Sequence, residues 1–223
     1  MADDGPRADE VEAGQRVYTP LTLRVYDLFV LGFSNRFVWR CPSSNMLERY
    51  DSHVGARHLD VGVGTGWFLD RCRWPVERPQ ITLLDLNENS LSAASDRIRR
   101  YAPTTVQADV LDPVDLSDAR FDSMGANFLF HCLPGGLEWK VARVVSNLRP
   151  YLASGGVFFG STILGAGVAH NALGRRLMRL YNRKGIFSNV EDDERGLERG
   201  LVSKLTDVEI EVGGAVALFA GRA

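Results

Sequence analysis

The stretch that most limits what this chain can fold into is Arg57–Leu69, reading Arg-His-Leu-Asp-Val-Gly-Val-Gly-Thr-Gly-Trp-Phe-Leu. A strand-like apolar run, His58 to Val61, breaks into Gly62, Gly64 and Gly66, and a helix-like run follows. The pattern reads as strand, glycine turn and helix start. A helix start presents unpaired N–H groups and the positive end of a dipole. Glycines let a ligand approach the backbone, because no Cβ intervenes. Asp60 falls at the strand's end, where open α/β sheets bind their ligands.

Glycine spacing narrows the ligand. The dinucleotide fingerprint needs its third glycine three residues after the second. Here Trp67 holds that position and the third glycine comes early, at Gly66. No Gly-Lys-Ser/Thr ending follows, so the turn is not a P-loop. A tight strand-to-helix turn with no ligand is the alternative reading of the stretch taken alone. The pattern Asp-x-Gly-x-Gly-x-Gly resembles the first motif of class I S-adenosylmethionine-dependent methyltransferases.

The rest of the chain supports an α/β sheet. Residues 1 to about 14 are acidic and contain Gly and Pro, a composition expected of a disordered N-terminus rather than a signal peptide. From Tyr18 the chain turns apolar and aromatic up to Trp39. Leu21, Val25, Leu28, Phe29 and Gly32 fit one helical face, with Thr19 as N-cap and Pro20 at the first helical position. Further helices are expected over Arg36–Arg40 and Ser43–Tyr50. Residues 15–54 thus read as a helical lid over the ligand edge, with plain packing helices as the alternative.

Beyond, from 55 to 223, strands and helices alternate as in a parallel sheet. Strands are expected at His58–Val61, Gln80–Leu86, Thr104–Ala108, Phe121–Asn127 and Gly156–Ile163. Helices are expected from Trp67, over Glu88–Arg100 with Asn87 as cap, and over Leu137–Leu148, Ala172–Arg183 and Glu191–Ser203. Leu173, Leu177 and Leu180 mark the apolar face of the helix over Ala172–Arg183. Its Arg175, Arg176, Arg179 and Arg183, with Lys184, read as a solvated face, or less simply as a site for an acidic partner. Asp207–Val212 and Val216–Ala220 flank Gly213-Gly214, a hairpin signal. A parallel sheet closing with a hairpin has an antiparallel last strand. That is the seven-stranded Rossmann-like class I methyltransferase fold, and the resemblance covers about Ala56 to Ala223. It implies the strand order 3-2-1-4-5-7-6.

The same resemblance assigns roles. It implies S-adenosyl-L-methionine as cofactor, S-adenosyl-L-homocysteine as product, and a cradle at Gly62, Gly64, Thr65 and Gly66. Asp85 ends the second strand, where a carboxylate accepts two charge-assisted hydrogen bonds from a ribose diol. Asp109 would accept from the adenine amino group, with Leu86 and Val110 beside the ring, and Asp60 would lie near the methionine ammonium. Asp85 as a helix cap and Asp109 as the start of a turn before Asp112-Pro113 are the structural alternatives. Asn127 reaches the ligand edge, and the loop after it should face the sulfonium. That loop is not the Asn/Asp-Pro-Pro-aromatic type of enzymes that methylate planar amines of nucleic-acid bases or glutamine amides, which leaves an oxygen or nitrogen of a small metabolite as the expected acceptor. His131 is its one titratable group suited to act as a base, or else it orders the loop. Tyr18, Tyr26, Trp39, Phe128 and His131 are the expected acceptor contacts in an aromatic pocket.

Composition sets the outer limits. The 223 residues, 45% hydrophobic and 24% charged, suit one globular domain. A net charge of −2 argues against nucleic acid as partner. Three scattered cysteines argue for a reduced, cytoplasmic setting and against a zinc site. No apolar run reaches membrane-spanning length. The expected protein is a monomeric or homodimeric methyltransferase of a small, largely apolar or aromatic metabolite, of the type found in secondary metabolism. An RNA or protein methyltransferase, or a non-methylating protein on the same fold, are the rival readings.

Overall fold

The computed structural model describes residues 34–223; Tyr18, Tyr26 and most of the expected lid lie outside them. The described chain opens with a wide π-helical turn at 34–38, closed by Trp39 N–H to the Ser34 carbonyl and Cys41 N–H to the Asn35 carbonyl. This turn stands in place of the helix expected over Arg36–Arg40. Helix α1 (Ser43–His53) follows.

The core then runs β1 (Arg57–Val61), α2 (Trp67–Arg71), β2 (Gln80–Asp85), α3 (Glu88–Arg97), β3 (Thr104–Gln107), β4 (Phe121–Asn127), α4 (Leu137–Leu148), β5 (Leu152–Ile163), α5 (Ala172–Arg183), α6 (Glu194–Val202), β6 (Thr206–Gly213) and β7 (Val216–Arg222). The seven strands pair in the order β3-β2-β1-β4-β5-β7-β6. Strands β1 to β5 run parallel, and β7 is antiparallel to both β5 and β6. This is the order the resemblance implied.

Strand side chains alternate between faces, and here both faces are covered. Leu84, Phe158 and Phe219 enter one buried cluster with Val141, Val144 and Leu148 of α4 and Leu197 and Leu201 of α6. Their neighbours Leu83, Phe159 and Leu218 enter the other, with Met46 and Tyr50 of α1 and Leu91 and Ala94 of α3. Side-chain caps start three helices: Asn87 accepts from Asn89 N–H, Asn171 from Gly174 N–H, and Asp193 from Gly196 N–H.

Three boundaries differ from expectation for local reasons, and one helix docks by a different face. Strand β5 begins at Leu152 rather than Gly156, because the Gly155-Gly156 pair sits in a register shift against β4 instead of starting the strand. Helix α3 ends at Arg97 and passes into a 3-10 turn at Arg99–Tyr101. Helix α6 starts at Glu194, after its Asp193 cap. Helix α5 docks through Gly174 and Met178, while Leu173 is 41% exposed. Its first turn is drawn onto the 34–38 turn by Asn171 Nδ2 donating to the Phe37 carbonyl, which sets the helix's rotation. Arg176, Arg179, Arg183 and Lys184 point outward as a solvated face. No helix of the described residues is long and apolar enough to cross a membrane.

Candidate functional site

Parallel strands with opposite neighbours on either side leave a crevice at their C-terminal ends. Here β1, β2 and β4 end together, and one cavity opens over them. The glycine turn forms its floor. Gly62, Gly64 and Gly66 all have left-handed φ (69°, 51° and 68°), a region side chains with a Cβ rarely adopt. The turn is packed from behind: a Cβ on residue 62 would stand 2.8 Å from Leu129, and one on residue 66 would stand 3.0 Å from Ala94. Residue 64 has nothing within 4 Å of that position. The turn therefore offers an open backbone face, and Thr65 lines the cavity beside it.

Asp85 closes the turn from β2. Its carboxylate accepts N–H groups from Asn87, Val63 and Gly64. Burial pushes its pKa up to about 6, against those three N–H donors, which lower it. Asp60, 4% exposed, lines the cavity from β1, and Tyr50 lines it from α1. The Tyr50 hydroxyl donates to Asp60 Oδ1 at 2.8 Å. Leu86, Ala108 and Val110 form an apolar flank. Asn127, Phe128, Leu129 and the Cys132–Pro134 segment form the opposite side. Asn127 Oδ1 accepts from the Ser161 hydroxyl. Phe128 holds a left-handed φ of 56°, kept there by its N–H bonding the Ser161 carbonyl at 2.8 Å. Such strain in a non-glycine residue tends to cluster at functional sites.

Three expected residues stand elsewhere. Asp109 does not line the cavity, although Ala108 and Val110 on either side do. Its carboxylate accepts from Leu111 N–H at 2.9 Å and its carbonyl from Asp112 N–H, so it shapes the turn before Asp112-Pro113. Trp39, 2% exposed, packs edge-on to His170 and against Phe187, and is a core residue away from the cavity. His131 is also buried, between Phe187 and Phe128. Its Nδ1 accepts from Ile163 N–H at 3.4 Å. Burial, with the Lys140 charge adding to it, lowers its pKa to about 3. A ring so placed orders the loop and is a poor proton acceptor, which corrects its reading as a base.

Sequence reasoning missed Tyr50, His58 and Ser123. His58 Nδ1 lies 2.8 Å from Ser123 Oγ and its Nε2 lies 3.4 Å from Asp60 Oδ1. A signal was present: His58 and Asp60 are two apart in a strand and so share a face. Among the described residues no group of His, Cys, Asp and Glu is placed to hold a metal ion.

The cavity's donor set suits a nucleoside carrying a cationic tail. An ionisable acceptor stands at one strand end, a buried acid at the next, an apolar flank lies beside them, and open backbone runs between. A family profile described as "Methyltransferase domain" matches residues 59–158. The chain is 38% identical over 213 residues to a demethylluteothin O-methyltransferase of Streptomyces thioluteus, covering 94% of this chain and 91% of that protein. It is 36% identical over 216 residues to the physcion biosynthesis cluster O-methyltransferase of Aspergillus chevalieri, covering 96% of each. Among solved structures, the N-methyltransferase NodS from Bradyrhizobium japonicum WM9, in complex with S-adenosyl-L-homocysteine, shares the fold. Its TM-score is 0.63 at 16% identity, over 96% of this chain and 97% of that one.

Proposed function

For a chain that belongs to the class I S-adenosylmethionine-dependent methyltransferases, we propose that the reaction is O-methylation of an acidic hydroxyl on a small, largely aromatic metabolite. The observation that carries the choice of oxygen is the near-full-length kinship with proteins named as O-methyltransferases.

When bound, S-adenosylmethionine supplies an electrophilic methyl group on a sulfonium whose departure leaves a neutral thioether. The chain's own residues then have four tasks. Asp85 accepts the ribose hydroxyls with whichever lone pairs its backbone donors leave. Leu86, Ala108 and Val110 cover the adenine, with Asp109 holding the turn that presents Val110. Asp60 pairs with the ammonium of the methionine end, and Asn127 borders that end. Phe128, Leu133 and Pro134 then shape the mouth where the acceptor oxygen enters. In-line positioning supplies much of the rate in such displacements.

Deprotonation of the acceptor is the remaining step. Among the described residues no histidine lines the cavity, and burial makes His131, which stands outside that lining, a weak base. A phenol or enol, which gives up its proton to water far more readily than an aliphatic alcohol, is the acceptor class that suits such a lining.

The test is transfer of labelled methyl from S-adenosylmethionine to a panel of phenols, enols, aliphatic alcohols and aromatic amines, read by mass spectrometry. Label on an acidic hydroxyl is the expected result. Label on amines alone would overturn the oxygen assignment.

A further inference from the structure

We propose that Tyr50 is a positioning residue for the amino-acid end of the cofactor, acting through Asp60. The inference rests on the reading that Asp60 faces the ammonium.

Tyr50 lies on α1, outside the Rossmann-like core, yet it is 2% exposed and borders the cavity. Its ring is clamped: it stacks on Phe68 at 5.3 Å with 7° between planes, and meets Phe159 edge-on at 5.1 Å. The hydroxyl therefore has little freedom to leave Asp60 Oδ1, 2.8 Å away. From the other side, His58 Nε2 approaches the same oxygen at 3.4 Å. His58 is itself fixed through Ser123 Oγ, which accepts from Gly55 N–H at 2.7 Å. Two donors from different elements thus converge on one carboxylate oxygen.

Two donors on Oδ1 fix the plane of the carboxylate and leave Oδ2 to be aimed at the ligand. Holding a charged group in its bound orientation removes the cost of ordering it on association. A carboxylate so held forms its strongest bond with a cationic donor in one direction. Tyr50 would then make the site selective for ligands carrying the ammonium, while contributing nothing to the nucleoside end.

The test compares two ligands by calorimetry. S-adenosylhomocysteine carries the amino-acid tail; 5′-methylthioadenosine keeps the nucleoside thioether and lacks the ammonium and carboxylate. Tyr50→Phe should weaken the first about tenfold and leave the second within about twofold. In an Asp60→Asn background, where the charge to be aimed is gone, adding Tyr50→Phe should weaken S-adenosylhomocysteine no further. Equal weakening of both ligands, or additive losses in the double variant, would make Tyr50 a packing residue and overturn the proposal. Failure of the wild-type protein to bind either ligand would instead remove the cofactor-site reading, and this inference with it. If Tyr50→Phe does not fold, Asp60→Asn alone decides through the same contrast: it must weaken the tailed ligand and spare the tailless one.

Discussion

Gly125 of β4 and Asp60 of β1 are register partners in adjacent strands, and a Cβ on residue 125 would stand 2.8 Å from Asp60 Oδ1. The same Cβ would stand 3.3 Å from His58 Nε2. The missing side chain is what gives the buried carboxylate and its histidine room to meet. Gly125 has no left-handed φ, so the constraint is space and not backbone conformation. Gly125→Ala should leave β4 paired and displace Asp60. The expected outcome is loss of S-adenosylhomocysteine binding by more than about tenfold, or about 1.4 kcal/mol, with the far-ultraviolet circular dichroism unchanged. Unchanged affinity in calorimetry would show that Asp60 can move without cost to the ligand.

Asp85 should impose a pH dependence on cofactor binding. Its folded pKa is raised to about 6 by burial, and ribose hydroxyls donate to the ionised form. Binding favours ionisation, so affinity is full above about pH 6 and falls as pH drops through that value. Stability of the free protein runs the other way. An acid with a raised folded pKa contributes stability that is present below its unfolded value and lost as pH rises through the folded one. Titrating S-adenosylhomocysteine affinity from pH 5 to 8 checks the sign. Asp85→Ala should lower affinity at least about tenfold at pH 7.5 and flatten the profile. A profile equally steep in the variant would move the titration to another group.

These two acids also show what sequence alone could reach. Asp60 and Asp85 were legible because each ends an apolar run, and strand ends of a parallel sheet fall side by side. Asp109 ends a third such run. Its carboxylate, however, is used by the turn two residues on, a local contest that strand periodicity does not register. Tyr50 was hidden differently. It sits on a helix with no motif, and only packing against Phe68 and Phe159 aims its hydroxyl at β1. His131 looked like a base because its neighbours in sequence are loop residues. Its actual surroundings, Phe187 and Ile163, come from well beyond that loop.

His131→Phe tests the corrected role. The new ring would keep the edge contacts with Phe187 and Phe128 and lose only the acceptor for Ile163 N–H. A stability loss of about 1 kcal/mol with turnover within about threefold is expected. Removal of a working general base costs about 10²–10⁴-fold, so a fall of that size in single-turnover kinetics would restore the catalytic reading.

The wall beside the cavity depends on a charge pair. Lys140 of α4 is fully buried, and its Nζ donates to the carbonyls of Leu133 and Ser188. It also lies 2.7 Å from Asp192 Oδ2. Leu133 lines the cavity, and the Asp192 carbonyl accepts from Gly165 and Ala166 N–H groups. One ammonium thus ties together the loops after β4, β5 and α5. Burial raises the Asp192 pKa to about 6 while Lys140 opposes that rise, and burial lowers the Lys140 pKa while Asp192 opposes that fall. Lys140→Met would leave a buried carboxylate unpaired and two carbonyls without their donor, a loss of about 3–5 kcal/mol. For a chain of this size that lowers Tm by roughly 10 °C. The sign with pH follows from Asp192. Without Lys140 the burial that raises the Asp192 pKa loses its main opposition, so the penalty is greatest at high pH, where the carboxylate is most ionised. At pH 5, below its folded pKa, it takes up a proton and the penalty shrinks. The Tm gap between wild type and Lys140→Met should therefore narrow from pH 7.5 to pH 5, and Lys140→Met with Asp192→Asn should recover part of the loss at neutral pH. A gap independent of pH would mean that the lost carbonyl bonds, and not the stranded charge, dominate.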